Sequence, residues 1–213
     1  MENTEQEIFT EILAHKILKE LNIEDEILNI YCYGSKIYGT ADENSDSDYI
    51  IVTKSAMLKS GAFKQNAISN KDRSIQGIIY SRGGFTDAIN NYDISALECL
   101  SLPEDKIIKA KWPFKVQKWD NKEMVKKIIT KASNSWHTAD LQAKDGWIYP
   151  AKKGIFHALR ILHFGLQLKE HRKIVDFEEC NWIWEDFKLI EEDDFDTRDY
   201  IKQRDKLIEQ LRS

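Results

Sequence analysis

The feature that most constrains the fold is a pair of short apolar segments separated by a polar loop. Residues 27–34, ILNIYCYG, are apolar, β-branched and aromatic and end in a glycine, which is typical of a buried strand. The loop TADENSDS follows, and DYIIV then predicts a second strand over about residues 48–53. SIQGIIY, residues 74–80, predicts a third strand. The first half of the chain is therefore expected to contain a sheet.

Helical periodicity covers most of the remaining chain. Residues 4–21 predict an amphipathic helix, and residues 85–100 predict another that is broken near residues 91–93. The second half contains two long helical patterns, at 121–144 and 151–171, and two shorter ones follow them. The chain therefore changes from a mixture of strands and helices to helices alone.

This change of character predicts two domains. The 213 residues suit one full domain or a small domain with a helical appendage. We place the boundary near Pro113, with a core of strands and helices over residues 1–115 and a C-terminal helical domain over residues 116–213.

Composition excludes several classes of protein. The three cysteines, Cys32, Cys99 and Cys180, are far apart and form no Cys-x-x-Cys motif, which argues against a structural zinc site and for a reducing compartment. The first residues are acidic and amphipathic, so no signal peptide is expected. No apolar run approaches the roughly 20 residues of a membrane span, and no P-loop motif is present. We expect a cytoplasmic protein without a membrane partner.

Two aspartates at the start of the second strand carry the strongest chemical signal. Asp46 and Asp48 are two residues apart, so their carboxylates project from the same face of a strand. Two like charges this close repel, and a divalent cation between them relieves the repulsion. Taken alone, this pattern after a Ser- and Asn-rich loop also fits a solvated hairpin. The preceding Gly34 and Ser35, which suit close approach of a phosphate, favour a catalytic site.

The stretch GSKIYGTADENSDSDYIIV resembles the signature of the DNA polymerase beta-like nucleotidyltransferase superfamily. Its form GS-x-x-YGT…SD-x-D is most similar to the predicted nucleotidyltransferases sometimes called the RNA-repair-pathway polymerase-beta family. Two further stretches are similar to that family, NNYDISALECL at 90–100 and AKKGIFHALRILHFGLQL at 151–168. The resemblance implies an α+β fold, in which a small mixed sheet is flanked by helices and followed by the C-terminal helical unit.

The resemblance also implies an activity. It predicts binding of a nucleoside triphosphate and Mg²⁺ or Mn²⁺, with transfer of a nucleoside monophosphate to a hydroxyl of RNA, a tRNA end among the candidates, or of a protein. Gly34 and Ser35 would hold the triphosphate, and Asp46 and Asp48 would hold two metal ions as the catalytic carboxylates. Two alternatives stay open: a protein-AMPylating member of a toxin–antitoxin or defence pair, and a catalytically silent module that binds nucleotide or RNA.

One position departs from the pattern of the superfamily. Its members normally supply a third carboxylate from a neighbouring strand, and this chain has Gln76 where we expect that acid. An amide is a poor substitute for an anionic bridge between metals. Asp72, just before the strand, or Glu98, in the following helix, could supply the missing carboxylate. Otherwise the protein binds one metal weakly or is catalytically reduced.

A third group of candidates lies on the helix at 151–168. Lys153, His157 and Arg160 have the spacing i, i+4 and i+7, which places them along one face. Such a stripe could bind the phosphates of the nucleotide, as the similarity to the HALR helix of the family implies. A solvated helix face explains the same spacing.

Overall fold

The computed structural model describes residues 2–55, 57–58, 61–62 and 65–213, with side chains described for residues 10–55 and 65–213. The strands, in chain order, are β1 Ile27–Tyr33, β2 Ser47–Thr53, β3 Met57–Leu58, β4 Gly61–Ala62, β5 Gln65–Ser69, β6 Ile75–Ser81 and β7 Ile107–Ala110. The α-helices are α1 Glu2–Glu20, α2 Ser35–Tyr38, α3 Arg82–Asn90, α4 Ile94–Ser101, α5 Asn121–Lys144, α6 Ile148–His171, α7 Asn181–Leu189 and α8 Ile201–Arg212. Short 3₁₀ turns lie at Glu104–Lys106, Glu192–Asp194 and Thr197–Tyr200.

Five of the strands form one mixed sheet in the order β5-β6-β2-β1-β7. Strand β2 pairs antiparallel with β1 and parallel with β6, while β7 and β5 pair antiparallel at the two edges. The two-residue strands β3 and β4 pair with each other. The expected α+β class, with a mixed sheet flanked by helices and a C-terminal helical region, is confirmed.

Apolar side chains cover both faces of this sheet. On one face, Ile17 of α1 packs in a cluster with Ile30 of β1 and Ile79 of β6. Side chains alternate along a strand, so Tyr80 points to the opposite face. There its ring contacts Phe85 of α3, with the ring centroids 5.4 Å apart. The sheet is thus a layer between helices, so both of its faces are covered.

The chain divides into two compact units. The first comprises residues 1–90 and 98–117, and the second comprises residues 91–97 and 118–213. The two-domain boundary that we expected after residue 115 stays a prediction.

In the second unit, α5 and α6 pack closely side by side. A side chain at Gly154 would meet the Ala139 Cβ at 2.7 Å, and one at Gly165 would meet Ile128 Cγ2 at 2.6 Å. Glycine at these two positions lets the helices approach each other closely. The start of α6 (Gly154) faces the end of α5 (Ala139), and the end of α6 (Gly165) faces the start of α5 (Ile128), so the two helices are antiparallel. Asp120 caps α5 by accepting a hydrogen bond from the Glu123 N–H at 3.1 Å. No helix in the part of the chain that the structure describes is both long and apolar enough to cross a membrane.

Candidate active site at the start of strands β2 and β6

The turn that follows β1 can be made only by glycine. Gly34 has φ 76° and ψ −157°, a region that is nearly exclusive to glycine. A Cβ at this position would lie 2.9 Å from both Cβ and Cγ of Asp48, closer than real Cβ contacts come. Helix α2 begins at the next residue, Ser35. Glycine therefore gives the turn its shape and leaves room for the Asp48 carboxylate beside the backbone.

The two aspartates lie at the beginning of β2, where the predicted site places them. Asp48 pairs with Tyr33 at the end of β1, and Asp46 comes immediately before the strand. Both carboxylates are half-buried. The turn at Gly34 and the two acids are thus brought to the same end of the sheet, because β1 runs toward this end and β2 starts from it.

Gln76 lies beside this pair of carboxylates. Strands β2 and β6 are parallel, and Gln76 is the direct partner of Asp48 in their register. Side chains at paired positions lie next to each other on one face of a sheet. The Gln76 amide Nε2 also donates a hydrogen bond to Asp46 Oδ2. The residue that stands where we expected a third acid is therefore an amide that bonds to Asp46 and is paired with Asp48 in the sheet.

The two other candidates for the third carboxylate have different partners. Asp72 is exposed and accepts hydrogen bonds from the Ser74 backbone N–H at 3.0 Å and from the Ser74 hydroxyl at 2.7 Å. These hydrogen bonds lower the pKa of Asp72 below its ordinary value. Glu98 is buried and accepts a hydrogen bond from the Tyr38 hydroxyl at 2.6 Å. Among the side chains that the structure describes, no group of three or more His, Cys, Asp or Glu could hold a metal ion.

Two residues of α2 support the site, and our sequence reasoning missed both. The Lys36 ammonium donates a hydrogen bond to the hydroxyl of Ser47, between the two aspartates, at 2.6 Å. Tyr38, which is 3% exposed, anchors the other end of α2 through its hydrogen bond to Glu98. Both residues belong to the stretch GSKIYGT, and their nearness in sequence to Gly34 was the signal that could have identified them as part of the site.

The donor set fits a single hard divalent cation. Mg²⁺ is commonly bound by one or two carboxylates, with phosphate and water oxygens completing its shell. Asp46 and Asp48 supply two such carboxylates, and the glycine turn keeps bulk away from Asp48. These residues could therefore hold one Mg²⁺ or Mn²⁺ together with a phosphate-bearing ligand.

The predicted phosphate stripe belongs to the second unit and is not uniformly exposed. Lys153 is exposed, with its ammonium 4.9 Å from the centroid of the Tyr149 ring. Arg160 is only 6% exposed, and its guanidinium donates a hydrogen bond to His157 Nδ1 at 2.8 Å. Burial, reinforced by the positive charges of Arg160 and Lys131, lowers the pKa of His157 to about 3, so the imidazole is neutral.

Of Lys153, His157 and Arg160, only Lys153 is exposed to solvent. The face of α6 that carries these three residues is therefore not fully solvated. Arg160 is buried because α5, α7 and α8 all pack against α6, and its guanidinium lies 5.4 Å from the centroid of the Phe156 ring on the same helix. A role for Lys153, His157 and Arg160 in binding nucleotide stays a prediction.

Comparisons with known proteins add one structural similarity. No protein-family model matches the chain, and no curated protein matches it. The crystal structure of a nucleotidyltransferase-like protein from Exiguobacterium sibiricum 255-15 is similar to this chain with a TM-score of 0.32 and 15% sequence identity, over 93% of this chain and 69% of that one. The narrower family expected from the sequence stays a prediction, and the functional proposal rests on the residues of the site.

Proposed function

We propose that this protein is a metal-dependent nucleotidyltransferase. It would move a nucleoside monophosphate from a nucleoside triphosphate to a hydroxyl of RNA, a tRNA end among the candidates, or of a protein. The observation that carries the proposal is the meeting of a glycine turn with two carboxylates at one end of the sheet. Gly34 lies against Asp48, and Asp46 lies two residues before it.

Each of these residues would have a definite task. Gly34 and Ser35 would hold the triphosphate, since glycine lets phosphate oxygens approach the backbone closely. Asp46 and Asp48 would hold Mg²⁺ or Mn²⁺, and the ion would polarise the phosphoryl group and neutralise charge on the leaving pyrophosphate. The acceptor hydroxyl would release its proton to solvent, and its oxygen would form a bond to the α-phosphorus as the bond from that phosphorus to pyrophosphate breaks and pyrophosphate leaves. The carboxylates would thus act mainly as metal ligands.

The residues of α6 would contribute unequally. Lys153 keeps its proposed role of binding a phosphate of the nucleotide or acceptor, because its side chain is exposed and carries a positive charge. Arg160 and His157 bond to each other within α6, so their side chains would be less available to a phosphate than that of Lys153. Replacing Lys153 should therefore affect nucleotide binding more directly than replacing His157.

A label-transfer assay tests the proposal. The protein is incubated with each α-labelled NTP and Mg²⁺ or Mn²⁺, with total RNA and with protein as acceptors. We expect transfer by the natural chain and a loss of at least about 100-fold in Asp46→Asn and Asp48→Asn, because removing a carboxylate ligand weakens the metal site. Asp87→Asn, at an exposed position on α3, is the matched control and should keep activity. Absence of transfer with every NTP and acceptor would refute the proposal, as would full activity in both site variants.

Gln76 favours one alternative, a silent module that binds nucleotide. The amide beside Asp46 adds no negative charge to the site. Calorimetric titration distinguishes the two functions. Affinity for NTP that is the same with and without Mg²⁺, combined with no label transfer, would favour the silent module.

A further inference from the structure

The contacts of Gln76 bear on how many metal ions the site can hold. Gln76 is paired with Asp48 in the register of β2 and β6, and its Nε2 donates to Asp46 Oδ2. Gln76 therefore bonds to the Asp46 carboxylate and occupies the position paired with Asp48. Gln76 is half-buried, as are both aspartates, so the three groups share a partly desolvated corner at the end of the sheet.

The charge of this corner follows from its side chains. Asp46 and Asp48 together carry −2 when ionised, the Gln76 amide adds a dipole and no charge, and the Lys36 ammonium, which bonds to the Ser47 hydroxyl between the aspartates, adds +1. A single divalent cation already outweighs the resulting charge of −1. Two divalent cations at the roughly 4 Å spacing of paired-metal sites would leave +3 in a region of reduced dielectric, where like charges repel strongly. A glutamate at position 76 would bring the charge of the side chains to −2 and add an anionic oxygen able to bridge two ions.

The amide also orients Asp46. A hydrogen bond to Oδ2 fixes the plane of the carboxylate and directs Oδ1 away from Gln76. Side chains that hold a metal ligand in place commonly change metal affinity by 10- to 100-fold when they are removed. Gln76 thus has two properties that can be tested separately: it donates a hydrogen bond to Asp46, and its side chain is neutral.

We propose that Gln76 is a positioning residue that orients Asp46 and restricts the Asp46–Asp48 site to one divalent cation. This inference deepens the proposed nucleotidyl transfer and rests on it for the identity of the site. Its consequence is a transferase that works with one ion held by the protein.

Manganese binding to the full-length chain tests the inference independently of activity. Mn²⁺ alone is titrated into the protein and counted by the loss of the electron paramagnetic resonance signal of free Mn²⁺. We expect one ion per chain, lost in Asp48→Asn. Gln76→Ala should still bind one ion, about tenfold more weakly. Gln76→Glu should bind two ions and show the spectrum of a spin-coupled Mn²⁺ pair.

Gln65→Glu is the matched control. It adds the same charge to the same sheet, but Gln65 is exposed and pairs with Tyr80 at the other end of β6. This variant should bind one Mn²⁺ ion, with the same affinity as the natural chain. Circular dichroism checks that each variant is folded. If Gln76→Glu does not fold, the Mn²⁺ affinity of Gln76→Ala and the number of Mn²⁺ ions bound by the natural chain still test the inference.

Several results would overturn the inference: no ion or two ions bound by the natural chain, one ion bound by folded Gln76→Glu, or unchanged affinity in Gln76→Ala. These outcomes are separable from the label-transfer assay. A chain that binds one Mn²⁺ but transfers no label overturns the proposed function alone. A chain that transfers label and binds two ions overturns the role of Gln76 alone.

Discussion

Replacing Gly34 with alanine tests the geometry on which the candidate site depends. The backbone at Gly34, with φ 76° and ψ −157°, is nearly exclusive to glycine. The new methyl group would lie 2.9 Å from both Cβ and Cγ of Asp48. Rotating the carboxylate alone cannot relieve a contact with Cβ, so either the Gly34 turn or the start of β2 must move.

The expected cost can be built from these two effects. Holding a non-glycine residue in this conformation costs about 1–3 kcal/mol, and overpacking a filled position costs about 1–3 kcal/mol. Because the start of β2 can shift by some tenths of an ångström, we expect a total of about 3 kcal/mol in the free energy of unfolding. For a chain of this length, that loss lowers Tm by about 6–12 °C. Because Asp48 moves, label transfer should also fall in the protein that remains folded.

Thermal and urea unfolding followed by circular dichroism measure the loss. Gly83→Ala is the matched control, because a Cβ there meets no atom within 4 Å and Gly83 lies in α3. Alanine in a helix is favoured over glycine by about 0.5–1 kcal/mol, so this variant should be at least as stable as the natural chain. A Gly34→Ala protein that loses less than about 0.5 kcal/mol and keeps its transfer activity would refute the reasoning, since both depend on the same contact.

Three further predictions concern polar groups that are buried or half-buried. Asn29→Ala should lower the free energy of unfolding by about 2–4 kcal/mol, because Asn29 is 2% exposed and exchanges hydrogen bonds with both backbone groups of Trp112; urea unfolding measures it. Tyr38→Phe should cost about 1–3 kcal/mol, because it removes the donor to the buried Glu98 carboxylate; the same assay applies. The natural chain should lose stability as pH falls from about 6.5 toward 3, and His157→Gln should reduce that slope. The unfolded state, with an ordinary histidine pKa, binds the proton that the folded state excludes.

Exposed positions of the second unit supply matched controls for these predictions. Asn134→Ala, Tyr149→Phe and His137→Gln change the same residue types where the side chains face solvent. Each should stay within about 0.5 kcal/mol of the natural chain. Equal losses at the buried and exposed positions would contradict the assignment of these effects to burial. A pH profile for His157→Gln that coincides with that of the natural chain would contradict the role of that imidazole.

Most elements could be predicted from local patterns because their causes are local. Helix α5 was expected at 121–144 and lies at Asn121–Lys144, and the expected break near residues 91–93 separates α3 from α4. Strand β5 was missed. Its sequence QNAIS is polar and largely exposed, and pairing with β6 makes it a strand. An edge strand with no buried face has no alternation to detect.

Burial along α6 was equally hard to predict. The i, i+4, i+7 spacing places Lys153 and Arg160 on one stripe, yet Lys153 is exposed and Arg160 is buried. Helices α5, α7 and α8 all contact α6, so most of its circumference is covered. Periodicity describes one helix by itself, whereas exposure depends on which other helices pack around it.

The sequence by itself determined the turn and the two carboxylates. Gly34, Asp46 and Asp48 lie within one short stretch, so strand geometry and the conformational range of glycine were enough to place them together. The resemblance also placed Gln76 in the neighbouring strand, at the position of the expected third acid, but only the tertiary structure decided which side chains bond to each other. Gln76 reaches Asp46 across 30 residues of sequence, and Glu98 reaches Tyr38 across 60. The physical reason is that such contacts depend on the pairing of strands and the packing of helices, which no local pattern encodes.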